Sequence, residues 1–471
     1  MKGIKNSFSS KGVTAKVSAV VALASAIAGA DVAFADQILY AKKKHPVNAA
    51  QPAEGLLASG SNSAWVCENW KIESNGGLSY IHPQDADYWF KLSGALRFDE
   101  TLFMGGKQDK GSNYPSGGNI RAAQLYMDGG VGKNWVYNLS LDFQGSGVGI
   151  DGAYLSYFGL VENNQIYVGK LNGNFFGLDG SNSTSWNPFL ERSLQNSAFY
   201  PGDGLGVMTD FWWKDGGLTL SATQPDQTDL GAIAGARDRW LGLARATFAP
   251  VHEEADVWHF GVSAAHREVQ HGARATTATA PISGVAFQAA PSARARNVKG
   301  STSLINTTLG NSNSAIRANH MQMFNVEMAR QYGPFMFETE YTHAFVHRTP
   351  TAGSTAPFLG SLGFHGWNLQ TRYMLTGESH EYDVRNGNFG SVKSTGPYGA
   401  IEVAARYDYV NLNDKDVNGG SEHNGTLGLN WYLNPQVRLS TNYIRANIRP
   451  AKNAPKRTLD IIGLRCQVRF Y

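Results

Sequence analysis

Charge is scarce in this chain. Of its 471 residues, 17% are charged, against about 25% in ordinary soluble domains. Long apolar runs are missing too. Beyond residue 30 no segment has the roughly 20 apolar residues that a spanning helix needs. With a mean hydropathy of −0.30, this excludes a bundle of membrane helices. Cysteine is nearly absent: Cys67 and Cys466 allow at most one disulfide. Enzymatic signatures are also lacking. The chain has no Gly-x-Ser-x-Gly nucleophile turn, no phosphate-cradling loop, and 12 histidines without zinc-ligand spacing. His343 and His347 lie four apart near a strand end and read as a surface pair. No catalytic residue, metal site or cofactor is expected.

What is abundant is glycine, at 53 residues, and aromatic side chains, at 11%. That mixture suits many strands and turns with rings at an interface. Residues 1–35 read as a signal peptide. Lys2, Lys5, Lys11 and Lys16 form a basic start, Val17 to Ala30 is small and apolar, and Ala33-Phe34-Ala35 fits a cleavage site before Asp36. Removing that segment takes away four Lys and one Asp, so 41 basic and 38 acidic residues become 37 and 37. A near-neutral chain gives no argument for a nucleic-acid partner. Residues 36–85, with Lys42-Lys43-Lys44 and scattered Pro, Gly and Ser, read as a periplasmic leader, partly disordered.

From residue 86 onward the pattern is alternation. In the last stretch Ile462, Leu464, Cys466, Val468 and Phe470 share one face, while Gly463, Arg465, Gln467 and Arg469 share the other. A period of two with one apolar face marks a strand between lipid and water. It also turns Cys466 outward, away from the polar segment holding Cys67, so two free thiols are expected. Sixteen strands follow from the same reading: about 89–103, 118–129, 134–144, 149–160, 164–171, 204–213, 217–224, 239–249, 256–267, 321–330, 335–348, 364–376, 398–412, 423–433, 437–449 and 458–470. Connections after even strands are short, as at Asn434-Pro435, and those after odd strands long, as at Glu268–His320. This parity fits a transmembrane antiparallel β-barrel of about 16 strands with its N-terminus in the periplasm. One connection breaks the rule: Gly377 to Pro397 is long but falls on the turn side.

Several stretches resemble the phosphate-selective porin O/P family. They include Leu92-Ser93-Gly94-Ala95-Leu96-Arg97-Phe98-Asp99, Gln331-Tyr332-Gly333-Pro334, Leu375-Thr376-Gly377-Glu378-Ser379, Gly428-Leu429-Asn430-Trp431-Tyr432-Leu433-Asn434-Pro435 and Leu464-Arg465-Cys466-Gln467-Val468-Arg469-Phe470. They occur in the family's order across about 85–471. The resemblance implies a homotrimeric outer-membrane channel of a Gram-negative bacterium that passes small inorganic anions, phosphate or polyphosphate among them. It also implies a third extracellular loop, here Asn172–Asp203, that folds inward. The chain departs from the family pattern at three places. Ala95 follows the first strand's glycine, Arg121 stands alone beside Ala122, Ala123 and Gln124, and Asp203 follows Pro201-Gly202. Each departure removes a positive charge near the expected constriction, which leaves a general low-selectivity diffusion porin as the alternative. An adhesin or structural barrel with a closed lumen is the alternative of another class.

Anion conduction needs fixed positive charge where the pore narrows. Strand phase places Lys91, Arg97, Arg372, Arg406, Arg438, Arg465 and Arg469 inward, with Arg121 on the second strand. The same phase turns Asp99, Asp142, Glu327, Glu338, Glu340, Glu402 and Asp408 inward. The two sets form either a basic track with acids opposite or neutral salt bridges bracing the wall. Lys170, Phe176 and Arg192 are the candidates on the constriction loop, with Phe176 expected to pack it against the wall. The 268–320 loop carries Arg274, Arg294, Arg296, Lys299 and Arg317. It reads as an anion funnel, a lipopolysaccharide contact or a solvated loop.

Overall fold

The computed structural model describes residues 70–74, 79–83, 88–104, 116–144, 147–173, 175–225, 238–269, 284–293, 305–307, 315–349, 360–392 and 396–470. The signal segment, most of the leader, Cys67 and four of the five basic residues of the 268–320 loop lie outside them. Short strands at Trp70–Ser74 and Ser79–Pro83 fall inside the stretch read as leader. The second pairs with the first barrel strand, Tyr80 opposite Lys91 and Ile81 opposite Phe90, so regular pairing begins before residue 86.

Sixteen strands make the barrel: β1 (Tyr88–Met104), β2 (Gly117–Val131), β3 (Trp135–Asp142), β4 (Gly149–Phe158), β5 (Asn164–Leu171), β6 (Gly204–Trp213), β7 (Gly216–Pro225), β8 (Asp238–Glu253), β9 (Asp256–Val269), β10 (Ala318–Tyr332), β11 (Phe335–Arg348), β12 (Leu362–Met374), β13 (Ala400–Asp414), β14 (Val417–Tyr432), β15 (Val437–Arg449) and β16 (Arg457–Phe470). Each pairs antiparallel with the next. β16 returns to β1, from Asp460 opposite Met104 to Phe470 opposite Gly94, and closes the sheet. Closure removes every unpaired edge, which is what lets strands cross hydrocarbon. No helix among the described residues is long and apolar enough to cross a membrane.

The barrel is inside out relative to a soluble protein. On β13 and β14 the outward Leu427 is 60% exposed, whereas the inward Glu402 and Asp408 are fully buried. The wall is uneven: β3 to β7 are 8 to 10 residues long, whereas β12 to β16 are 13 to 16. The inward face is not polar throughout. Leu241, Leu243, Met321, Met323, Phe364, Val410, Ile444 and Ile461 form a buried apolar cluster with Phe287 and Ile305 of the β9–β10 connection. A water-filled lumen would instead favour polar side chains there. The difference arises because connecting segments, rather than water, fill that part of the lumen.

The turn-side exception is a structure of its own. Between β12 and β13, His380–Asp383 pairs with Asn388–Val392 as a hairpin. The strand count is right and this connection is simply long.

Candidate functional site

The segment between β5 and β6 carries two short helices, α1 (Leu178–Ser181) and α2 (Leu194–Ala198). Ser193 caps α2 by accepting from the Asn196 amide. Asp179 ties the two together: its carboxylate accepts from the Ser193 amide at 2.8 Å and the Ser193 hydroxyl at 2.9 Å. The segment then bonds inward-facing wall residues on many strands. The Leu190 amide donates to Asn442 at 2.8 Å, and the Leu194 amide to Asp408 at 3.1 Å. Arg438 donates to the Asn187 carbonyl at 2.9 Å, and Gln467 to the Ser185 carbonyl at 3.1 Å. Two glycines make room for it. A Cβ at Gly463 would lie 2.7 Å from the Leu190 side chain, and one at Gly366 would lie 2.8 Å from Gln195 Cβ. Phe176 is buried in the apolar cluster with Leu194 and Phe199.

The candidate cations occupy distinct settings. Arg465 grips Asp99 through two 2.7 Å bonds. Arg372 pairs with Glu338. Arg406 lies 3.1 Å from Asp408 and 4.4 Å over the Phe189 ring. Arg438 lies 5.6 Å over Tyr432, and Arg469 lies 4.7 Å over Trp186. Lys91 stands opposite Asp128 in the β1–β2 register. Arg97 is held by neutral groups, Gln467 at 3.1 Å and Ser185 at 2.9 Å. Arg121 sits at a bulge: Arg97 pairs with Ala122 and Phe98 with Ile120, so Arg121 is the extra residue on β2. A bulge re-aims a side chain. This one sends Arg121 to Glu191 of the loop, at 2.6 and 3.0 Å. Lys170 and Arg192 both line the open lumen, and Arg192 donates to the Asn182 carbonyl at 3.2 Å.

Sequence reasoning missed a second crossbar, the β12–β13 hairpin. Arg245 on β8 donates to the Asn386 and Gly387 carbonyls at the hairpin tip, each at 2.7 Å, and pairs with Glu327 at 2.6 Å. His259 Nδ1 lies 2.7 Å from the Tyr382 hydroxyl, and burial pushes that phenol's pKa upward. Arg385 reaches the opposite side. It donates to the Tyr167 hydroxyl at 2.9 Å and lies 4.1 Å over the Trp212 ring. Phe389 packs with Leu178 of the loop, and its amide donates to Asn182. The sequence signal was the one over-long turn.

Among the described residues, a cavity of about 1120 Å³ lies along the β1–β7 wall. Its charged lining is Arg97, Arg121, Lys170, Arg192 and Arg465 against Asp142, Asp151, Glu191, Asp203 and Asp210. Arg372, Arg406, Arg438 and Arg469 are outside that lining.

A family model described as phosphate-selective porin O and P matches residues 90–470. Porin O of Pseudomonas aeruginosa is 28% identical over 400 residues, covering 80% of this chain and 86% of that protein. An uncharacterized protein of Caulobacter vibrioides is 26% identical over 372 residues, covering 76% and 68%. Among solved structures, OprB of Pseudomonas putida superposes with a TM-score of 0.49 at 9% identity, covering 82% of this chain and 94% of that one.

Proposed function

The chain belongs to the phosphate-selective porin O and P family, and on that premise we propose that its anion preference rests on one cluster of the wall, Arg97, Arg121 and Arg465. The protein is an outer-membrane porin of a Gram-negative bacterium, a passive water-filled channel for small anions. The observation that carries the proposal is a local imbalance of charge. Among the described residues the guanidiniums of Arg121 and Arg465 bond the carboxylates of Glu191 and Asp99, whereas Arg97 bonds the neutral Gln467 and Ser185. A fixed excess of positive charge in a narrow pore admits anions ahead of cations. Arginine can also hold phosphate through two parallel N–H bonds.

Arg372 and Arg406 are proposed as braces rather than conductors, since each is buried against its own carboxylate and lies outside the cavity lining. Lys91, Arg438 and Arg469 lie outside the cavity lining and are given no part in the selectivity. Lys170 and Arg192 act at the loop. A second reading has its own support. The five-to-five balance of the whole cavity lining favours a weakly selective diffusion porin.

Current through the purified protein in a planar bilayer separates the two. Chloride current blocked by added phosphate supports a phosphate site. Anion-biased current that phosphate leaves unchanged supports the weakly selective porin. Absence of current from folded protein overturns both.

We further infer cleavage of residues 1–35, a short leader up to about residue 85, and a homotrimer. Support for the trimer, besides family membership, is the short β3–β7 wall with exposed Trp135, Leu155, Val168 and Leu205. The longer wall, with exposed Phe260, Phe324, Tyr341 and Leu427, is left for lipid and lipopolysaccharide.

A further inference from the structure

We propose that the open half of the lumen also passes small neutral carbohydrates, along a path of tyrosine rings on the β2–β6 side. The inference rests on the channel reading above and concerns a solute class that anion chemistry does not cover. Tyr126 on β2, Tyr154 on β4 and Tyr167 on β5 all line the cavity, and Tyr200 faces it from the loop. The Tyr154 and Tyr167 rings meet edge to face with centroids 5.5 Å apart. Each tyrosine with a hydroxyl contact is fixed from its polar end. The Tyr126 hydroxyl donates to Gln124 at 2.8 Å, the Tyr167 hydroxyl lies 2.8 Å from both Gln165 and Asp210, and Tyr200 bonds Asp203. A ring held by its hydroxyl keeps a constant direction; half-buried Tyr126 and Tyr200 thus keep apolar surface toward the water-filled side, as does Tyr154, against which the buried Tyr167 packs.

A sugar ring presents one apolar C–H face and an equatorial rim of hydroxyls. The cavity offers the complement of both. Tyrosine rings supply apolar surface, and Asn138, Asn172, Asp142 and Asp151 stand among them as donors and acceptors. Few placed polar groups beside aromatic surface are the ordinary makeup of a site for a small polar organic ligand. The charge balance matters here. With basic and acidic side chains equal in number along the lining, an uncharged solute competes with no strong net field over most of the path. The anion-favouring excess adjoins one end of this path, at β2, where Tyr126 shares a strand with Arg121.

The test uses the full chain in liposomes and compares swelling in glucose with swelling in polyethylene glycol of matched hydrodynamic radius. Potassium chloride conductance in a bilayer reports that the protein is folded and open. Wild type is expected to admit glucose faster than the matched polymer. In the double variant Tyr126→Leu/Tyr154→Leu that advantage is expected to fall about tenfold, the scale of two lost aromatic contacts at about threefold each, with conductance retained. Tyr126→Phe keeps the ring but loses the tether to Gln124, so its advantage is expected to fall between those of wild type and the double variant. Equal entry rates for glucose and polymer in wild type, or an unchanged ratio in a conducting double variant, would overturn the proposal. A wild type that conducts no ions would overturn the channel reading itself, which is a different failure.

Discussion

Arg465 and Asp99 face each other across the β16–β1 seam and are joined by two parallel bonds of 2.7 Å, with both side chains almost wholly buried. The pair closes the barrel from inside at the same register where backbone pairing closes it. Removing one partner leaves the other charge buried without compensation. Asp99→Ala is therefore expected to cost about 3 kcal/mol. Loss of resistance to heat or denaturant of the folded barrel, read as the gel shift between folded and unfolded protein, checks this. Wild-type resistance would show that water already screens the pair.

Glu191 is the carboxylate that the loop brings to Arg121. Glu191→Gln keeps the shape and removes the charge, so the cluster's excess of positive charge grows. The chloride-to-potassium permeability ratio is expected to rise. A ratio that falls or stays level would place Arg121 outside the path.

Arg385 joins the hairpin to the β5–β6 wall. Arg385→Ala removes that anchor while Arg245 still holds the hairpin tip. Single-channel conductance is expected to increase, with noisier open levels. An unchanged, quiet level would mean that Arg385 does not narrow the pore.

Phe287 lies 5.6 Å from Phe199 of the β5–β6 segment and 5.4 Å from Phe364 of β12, so one ring joins two connecting segments to the wall. Phe287→Ala is expected to cost about 3–5 kcal/mol, the usual range for emptying a buried ring site. A denaturant titration measures the cost. A cost under about 1 kcal/mol would show that the site collapses around the smaller side chain.

Much of the wall was legible because a strand between lipid and water must alternate, and the boundaries of β5, β6, β11 and β15 match the alternating runs residue for residue. Phase assigned a face to each side chain. It could not say which inward residues meet water. That depends on what fills the lumen, and phase carries no information about the hairpin beneath Arg245 or the apolar cluster around Phe287. Arg245 and Arg385 were missed for this reason: each acts through a segment distant in sequence. The bulge at Arg121 was equally hidden, since one extra residue leaves no mark on an alternating run of small side chains such as Ala122 and Ala123.

The most direct test of the anion cluster is the zero-current potential across a planar bilayer under a potassium chloride gradient, for wild type and Arg97→Ala side by side. The expected result is a potential with the sign of chloride preference in wild type, and a clear shift toward zero in the variant. A wild-type potential with the sign of potassium preference, or an Arg97→Ala potential equal to wild type, would contradict it.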